Sequence, residues 1–322
     1  YDPAGLRGAV AVSGPRSTPA ASAPIPPAPP LTEIGLDDLI GFVRDPVRHF
    51  LRERCGLSYW QSDPLPDEIP IEPDGLDRWA VGERLLGLAR TGHSIDDAVR
   101  AEWLRGAVPP GAIGTRLLDG VAAQVRPIVA ALPLPPDEPV RHRDIALDCG
   151  AVRLTGRVAT QRDLVVQASF SKPSESRSVG LWLQLLALSA TAEGPWRAVL
   201  VGRGARRQWR GPDPATARTL LGRWLRLYRI GLDAPLPLPL QFGARLAGLL
   251  GDDKNPFGEL RNLRYAYSDH RSKQWEQFYA SADDLLAVGI GDDDLDQPGE
   301  TALACAAARL VWHPITAHEV VR

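Results

Sequence analysis

The amino-acid sequence predicts an α/β protein with a small central mixed sheet, flanking helices and a helical N-terminal part. Apolar residues recur at helical spacing through most of the stretch from residue 36 to residue 132. Beyond Asp144, apolar and polar residues alternate on both sides of Gly150, which indicates a β-hairpin. Short apolar runs then alternate with helical patterns, an order that is typical of a sheet covered by helices.

The N-terminal part is predicted to be mostly helical. Its first helical pattern, residues 36–51, contains Pro46, which lacks the amide hydrogen that a helix interior requires. We therefore expect a kinked helix or two abutting helices there. A proline-rich loop is predicted over 64–73, and further helices are predicted over 76–88, 95–104 and 112–132.

The sheet is predicted to begin with hairpin strands at 145–149 and 152–156, followed by a third strand at 164–166. Residues 181–190 are apolar on nearly all sides, which predicts a buried helix. A strand at 196–201, a helix at 215–228 and an extended connector at 235–239 follow. Weaker patterns indicate helices over 274–286 and 301–312.

We divide the chain into a linker and one domain. Residues 1–30 are predicted to be a disordered linker rich in proline and alanine, because they cannot bury enough apolar surface to offset the entropy of ordering. Residues 31–322 form the predicted domain, with a mostly helical part at 31–140, the sheet core and flanking helices at 141–245, and a divergent C-terminal part at 246–322. The chain opens with Tyr1 and contains no methionine, so we expect a piece of a longer polypeptide.

Composition and charge exclude several classes of protein. The 322 residues carry 37 basic and 39 acidic side chains, a formal net charge of −2, so no global basic field marks a general nucleic-acid binder. No apolar run approaches the ~18 residues that span a membrane, and no membrane partner is expected. Three widely spaced cysteines indicate neither a disulfide framework nor a cysteine-rich metal site, which fits a cytoplasmic location.

One segment resembles the metal-dependent nucleases of the PD-(D/E)xK class, which hold Mg²⁺ with carboxylates beside a catalytic lysine. The similar text is Gly156-Arg157-Val158, Leu164-Val165-Val166 and Gln184-Leu185-Leu186-Ala187-Leu188. Ala159 stands where this class has its first aspartate, and Gln167 and Ser169 stand where it has the second aspartate and the lysine. The active site is therefore predicted to be degenerate, with no catalytic residue and no metal ligand. An ordinary small sheet without nuclease ancestry is the alternative for this segment.

A longer stretch resembles the C-terminal domain of the RecC family, the gamma subunits of exodeoxyribonuclease V. Residues 36–51 read LDDLIGFVRDPVRHFL, where the family has LDDLIRFxxHPVRYFL. The similarity covers roughly residues 31–245 in order. It includes the short segments 65–68, 75–79, 84–86, 110–112, 154–156, 181–184, 227–229, 231–232 and 234–236.

The resemblance implies a nuclease-like fold that has lost its active site, and a domain that is not an enzyme by itself. It implies a structural and DNA-channel role in the RecBCD helicase–nuclease, where the domain would help split duplex DNA and dock the motor and nuclease subunits during recombinational repair of double-strand breaks. Expected partners are RecB-type and RecD-type subunits and double-stranded and forked DNA. No cofactor is expected on this chain, and the complex would use ATP and Mg²⁺ on other subunits. An active metal-dependent exonuclease with migrated ligands and a free-standing DNA-binding module remain alternatives.

Arginines provide the candidate contact residues. Residues 197–229 hold nine arginines and one acid, Asp213. On a helix starting near residue 215, one arc carries a stripe of arginines opposite an apolar face; we interpret this stripe as a contact for DNA phosphates or for an acidic patch of a partner, with a merely solvated face as the alternative. The stripe consists of Arg218, Arg223, Arg226 and Arg229. The hairpin adds Arg141, Arg143 and Arg157, which are expected near the fork junction unless the hairpin only packs the sheet edge.

Overall fold

The computed structural model describes residues 25–57, 75–106, 108–191, 193–252, 260–268, 272–290, 295 and 300–320. Most of the predicted linker and the whole proline-rich loop at 64–73 lie outside these ranges. The N-terminal elements are β1 (Glu33–Gly35), α1 (Leu36–Arg44), α2 (Pro46–Cys55), α3 (Gly75–Arg90), α4 (Ile95–Arg105) and α5 (Ala112–Ala130).

The remaining elements begin at residue 141 and are described in a central and a C-terminal group. The central elements are β2 (Arg141–Cys149), β3 (Val152–Thr160), β4 (Leu164–Ala168), α6 (Glu175–Ala190), β5 (Arg197–Gly202), β6 (Ala205–Arg210) and α7 (Pro214–Asp233). The C-terminal elements are α8 (Leu240–Gly251), α9 (Leu260–Ser268), α10 (Lys273–Phe278), α11 (Ala282–Ala287) and α12 (Leu303–Ala317).

The helical pattern around Pro46 forms two helices, as one of the two predicted outcomes. Asp45 separates them with a non-helical backbone, φ −153° and ψ 84°, and its side chain accepts a hydrogen bond from the Arg48 backbone N–H at 3.1 Å. Pro46 is the first residue of α2, where its missing amide hydrogen costs nothing and its fixed φ suits the helix. The proline therefore starts a helix instead of bending one.

The described strands form two small mixed sheets. In the first, β3 is central, with β1 parallel and β2 antiparallel to it; in the second, β5 is central, with β4 parallel and β6 antiparallel. The sheets meet at one bridge between Gln161 and Leu164. The mixed α/β class is confirmed, but the single central sheet that we predicted is divided into two, because β3 and β4 separate after the tight turn that joins them.

Several elements differ from the sequence prediction. Strands β1 and β6 and helices α8 and α9 were not predicted, and the helix expected over 274–286 is divided between α10 and α11. Ser281 causes that division, because its hydroxyl caps α11 by accepting from the Asp284 backbone N–H while the Asp284 carboxylate accepts from the Ser281 N–H. The predicted hairpin is confirmed, with Gly150 at φ 71° in its turn.

Two hydrophobic cores lie on opposite faces of the second sheet. Ala198 and Leu200 of β5 face the larger core, which contains the almost wholly buried α6 together with α1, α2, α7 and α12. Val199 and Val201 face the smaller core, which contains α3, α4 and α5. Strand β5 is therefore apolar on both faces, as expected for a strand covered on both sides.

Candidate nucleic-acid interface

Helix α7 presents the arginine stripe because the opposite face is buried in the larger core. Its N-terminus is capped by Asp213, whose carboxylate accepts from the Ala215 and Thr216 backbone N–H groups at 3.0 Å. The Thr216 hydroxyl also donates to this carboxylate, and these hydrogen bonds lower the pKa of Asp213. Leu221 and Trp224 are fully buried. The helix is thus fixed in rotation, and its other face points outward.

The four arginines of the stripe line one groove. The groove has a volume of about 560 Å³, and its second wall is the tip of the β2–β3 hairpin, from Asp148 to Val152. Its lining is Leu31, Asp148, Cys149, Gly150, Val152, Arg218, Thr219, Gly222, Arg223, Leu225, Arg226 and Arg229. The sequence predicted the stripe, and the structure adds the hairpin wall that makes it a groove.

The stripe has the dimensions of a nucleic-acid contact. From Arg218 to Arg229 the helix rises about 17 Å, at ~1.5 Å per residue. Phosphates along one strand of a duplex rise about 3.4 Å per step, so the stripe spans roughly five of them. Arg218, Arg226 and Arg229 are exposed and Arg223 is half-buried. Guanidinium groups bind phosphate through paired N–H donors, and this geometry suits a phosphate backbone.

Two side chains tune the groove from within. Arg218 Nε donates to the Ala190 carbonyl at 3.1 Å, which fixes that guanidinium at the C-terminal end of α6. Cys149 is half-buried in the hairpin wall; burial raises the pKa of its thiol, while Arg218 opposes the increase and Asp148 adds to it. Asp148 is the carboxylate among the described lining residues. The described lining of the groove therefore carries more basic than acidic side chains, and its Cys149 thiol loses its proton less readily than an exposed thiol.

Other arginines of the 197–229 run are used for structure. Arg197 donates twice to Asp163, at 2.9 and 2.7 Å, and Arg207 forms a bidentate pair with Glu319, at 2.7 and 2.6 Å. The hydrogen bonds of Glu319 raise the pKa of Arg207. The arginine run thus includes two structural ion pairs, at Arg197 and Arg207, besides the groove stripe on α7.

The hairpin candidates lie away from the groove. Arg141 is exposed at the start of β2, and the groove wall is at the other end of this strand, about 26 Å away at ~3.3 Å per residue. Arg143 pairs with Glu193 at 3.2 Å and stacks over the Trp196 ring at 5.7 Å. Arg157 pairs with Asp144 at 2.8 Å. The structure therefore does not bring Arg141, Arg143 and Arg157 together with the α7 stripe.

The positions compared with nuclease chemistry occupy different surroundings. Ala159 is exposed on the outer face of β3, opposite His142. Gln167 is half-buried in β4, next to Leu200 of β5. Ser169 is buried just after β4, where its hydroxyl donates to Glu83 Oε1 at 2.5 Å.

Glu83 of α3 is the residue that the sequence interpretation missed at this site. Its Oε1 also accepts from the Phe170 backbone N–H at 3.0 Å, and Arg177 lies 3.9 Å away. Local sequence carries no signal for this contact, because Glu83 and Ser169 are brought together only by the packing of α3 on the second sheet. Within the part of the chain that the structure describes, no group of three His, Cys, Asp or Glu side chains is arranged to hold a metal ion.

No helix in the described ranges combines the length and the apolar character needed to cross a bilayer.

Comparison with known proteins gives one consistent result. The family model of the RecC C-terminal domain matches residues 31–249, close to the 31–245 predicted from the sequence. The chain is 32% identical to RecBCD enzyme subunit RecC of Mycobacterium tuberculosis H37Rv, over 99% of this chain and 30% of that protein. It is 33% identical to the Mycolicibacterium smegmatis subunit, over 75% of the chain and 23% of that protein, and 28% identical to the Escherichia coli K12 subunit, over 69% and 20%.

The chain spans a third or less of the length of these relatives. The match of the family model covers well over half of the 322 residues. On these comparisons, the chain belongs to the RecC C-terminal domain family.

Proposed function

We propose that this chain serves a RecBCD-type complex as a DNA-contacting domain that is not itself catalytic. The α7 groove carries the proposal, because it places four guanidinium groups along about five phosphate steps. The RecC relatives of this chain are RecBCD enzyme subunits. The ligand proposed is therefore double-stranded or forked DNA, held while the duplex is split, and the protein partners are RecB-type and RecD-type subunits.

We also infer that the domain has a PD-(D/E)xK nuclease-like ancestry but has lost the side chains for metal-dependent cleavage. The order of the β2–β3 hairpin, β4 and α6 supports the ancestry. Ala159, Gln167 and Ser169 have no carboxylate or amine at the three chemical positions, and a methyl group or a neutral amide does not hold Mg²⁺ against its hydration shell. ATP and Mg²⁺ would act on other subunits of the complex.

The nuclease part is tested with the purified RecC-type subunit and linear duplex DNA in Mg²⁺ or Mn²⁺. We expect no degradation. Degradation that disappears in Asp144→Ala or Asp148→Ala would instead support an active exonuclease with migrated ligands.

The groove is tested in the reconstituted complex by measuring DNA affinity across a salt series. Replacing Arg223, Arg226 and Arg229 together by Gln should make the negative slope of log K against log salt shallower by about 2.1–2.7, since each lost phosphate contact removes about 0.7–0.9 from its magnitude. Arg197→Gln is the matched control, because this arginine pairs with Asp163 away from the groove. An unchanged slope in a normally assembled complex would contradict the proposal.

A second pair of variants fills the groove without removing an arginine. Gly222 lies on the groove, and a Cβ there would have no atom within 4 Å. Gly222→Glu adds a carboxylate beside the bound phosphates and should weaken binding about fivefold, from ~1 kcal/mol of repulsion in water. Gly222→Gln has nearly the same shape and should bind almost normally. Equal losses in both variants would indicate a steric effect and not a phosphate site.

Assembly with partner subunits distinguishes the proposed domain from a free-standing DNA-binding module. The proposed domain should co-purify with RecB-type and RecD-type subunits. A chain that binds DNA equally well without them and does not co-purify would be a free-standing DNA-binding module.

A further inference from the structure

We propose that a second basic cleft, between α3 and α5, binds the backbone of single-stranded nucleic acid. The cleft has a volume of about 480 Å³ and lies on the smaller core, away from the α7 groove. Its described lining contains three arginines and no carboxylate: Arg78, Ile113, Arg116, Leu117, Gly120, Val121, Gln124, Phe170 and Arg203. The inference does not depend on the α7 groove.

The arginines converge because three separate elements meet there. Arg78 lies on α3, one turn before Gly82, whose backbone packs directly on the Phe170 ring. Arg116 lies on α5, and Arg203 follows β5. Among the described residues, neither Arg78 nor Arg116 forms an ion pair with a carboxylate, and both are exposed.

Arg203 is held in a fixed orientation. Its guanidinium lies over the Phe170 ring at 5.4 Å, and its Nη1 donates to Gln124 Oε1 at 2.9 Å. A guanidinium fixed by stacking loses little entropy when it binds an anion, and its remaining N–H donors can bind a phosphate oxygen. The cleft therefore has one preorganised donor and two that are free to adjust.

Exposed aromatic rings distinguish a nucleic-acid strand from an acidic peptide. Trp79 is 40% exposed on α3, and its Nε1 donates to the Ser171 hydroxyl at 2.8 Å, which places it beside Phe170. Trp103 is 41% exposed and packs against Gly114 at the start of α5. Exposed indoles beside a basic cleft suit unpaired bases, which stack on aromatic rings while the backbone follows the positive charge. A duplex has no free base faces, so single strands are favoured.

The test uses the intact complex with a photoreactive side chain at Gly120, where a Cβ would have no atom within 4 Å. The probe is a labelled oligothymidylate. We expect the strand to crosslink, and an Arg78→Gln/Arg116→Gln variant to lose two contacts, or about 1.4 in salt slope. Raising salt from about 50 to about 200 mM should then reduce the yield about 7-fold more in the parent than in the variant.

Two controls isolate the cleft. Arg126→Gln removes an α5 arginine that pairs with Asp96 at 3.0 Å outside the cleft, and it should leave the yield unchanged. Crosslinking from Gly222 in the α7 groove should be unaffected by the Arg78/Arg116 variant, so failure of the cleft and failure of the groove are distinguishable.

Three results would overturn the inference. Crosslinks from Gly120 to a partner polypeptide in place of the strand would identify a protein-docking surface. If polyglutamate displaced the labelled strand as effectively as unlabelled oligothymidylate does, the cleft would be a general anion site. Crosslinking from Gly222 with none from Gly120 would show that the strand does not enter the cleft.

Discussion

Removing Arg84 should destabilise the helical part formed by α3, α4 and α5, which carries one wall of the second cleft. Glu102 of α4 has a side chain only 2% exposed, and it accepts two hydrogen bonds from Arg84 of α3, both at 2.8 Å. Arg105 lies 3.4 Å from the same carboxylate. The hydrogen bonds to Glu102 raise the pKa of Arg84.

The magnitude follows from which partner can reach water. Removing one partner of a buried ion pair costs about 3–5 kcal/mol, because the other charge stays buried. Arg105 compensates part of this loss, so we expect Arg84→Ala to cost about 2–3 kcal/mol. Glu102→Ala should cost about 1 kcal/mol less, since the Arg84 side chain is 33% exposed and its charge can be hydrated. The double variant should recover much of the Arg84→Ala loss.

Urea unfolding of the chain, followed by circular dichroism and by hydrogen exchange of α4 amides, measures these free energies. The reasoning would be refuted if Glu102→Ala cost more than Arg84→Ala. It would also be refuted if the double variant lost the sum of the two single losses, because an additive result means that the two side chains do not interact.

The remaining predictions concern protonation, thiols and the hairpin. Burial lowers the pKa of His49, whose ring contacts the Tyr228 hydroxyl at 3.1 Å. The contribution of His49 to the free energy of unfolding should therefore be full above about pH 6.5 and fall as the pH drops through the lowered pKa. Unfolding measured across this pH range should show the fall in the parent chain and not in His49→Gln. Alkylation followed by mass spectrometry should modify exposed Cys55 first and half-buried Cys149 slowly, whereas Cys305, 3% exposed with its pKa raised to about 11, should react only on unfolding. A photoreactive group at Arg141 should crosslink to a forked duplex in the assembled complex, and efficient crosslinking elsewhere with none there would exclude the hairpin base from the junction.

Local sequence signals account for much of the fold. Pro46 marked the break between α1 and α2, and Gly150 marked the hairpin turn, because each residue type has a backbone preference that acts without distant partners. Strand β6 gave no such signal: its sequence, ARRQWR, buries Trp209 but otherwise presents charge, and it is held by pairing with β5 and by the Arg207–Glu319 ion pair. Long-range pairing of this kind is not visible in a local pattern.

The same division holds for the candidate site. The arginine stripe followed from helical periodicity alone, since Asp213 starts the helix and the apolar face fixes its rotation. The hairpin wall of the groove and the contact of Glu83 with Ser169 depend on how distant elements pack, so no spacing in the sequence indicates them. The arginines of the hairpin looked equivalent to the stripe in sequence, but ion pairs with Asp144 and Glu193 use two of them.

The central claim is that the α7 groove contacts DNA, and crosslinking from Thr219 tests it most directly. Thr219 is exposed on the groove next to Arg218. With a photoreactive side chain at this position in the reconstituted complex and forked DNA as ligand, we predict strong crosslinking to DNA that falls as salt rises. Crosslinking to a partner subunit instead, or no crosslinking to DNA in a complex that still binds the fork, would contradict the account.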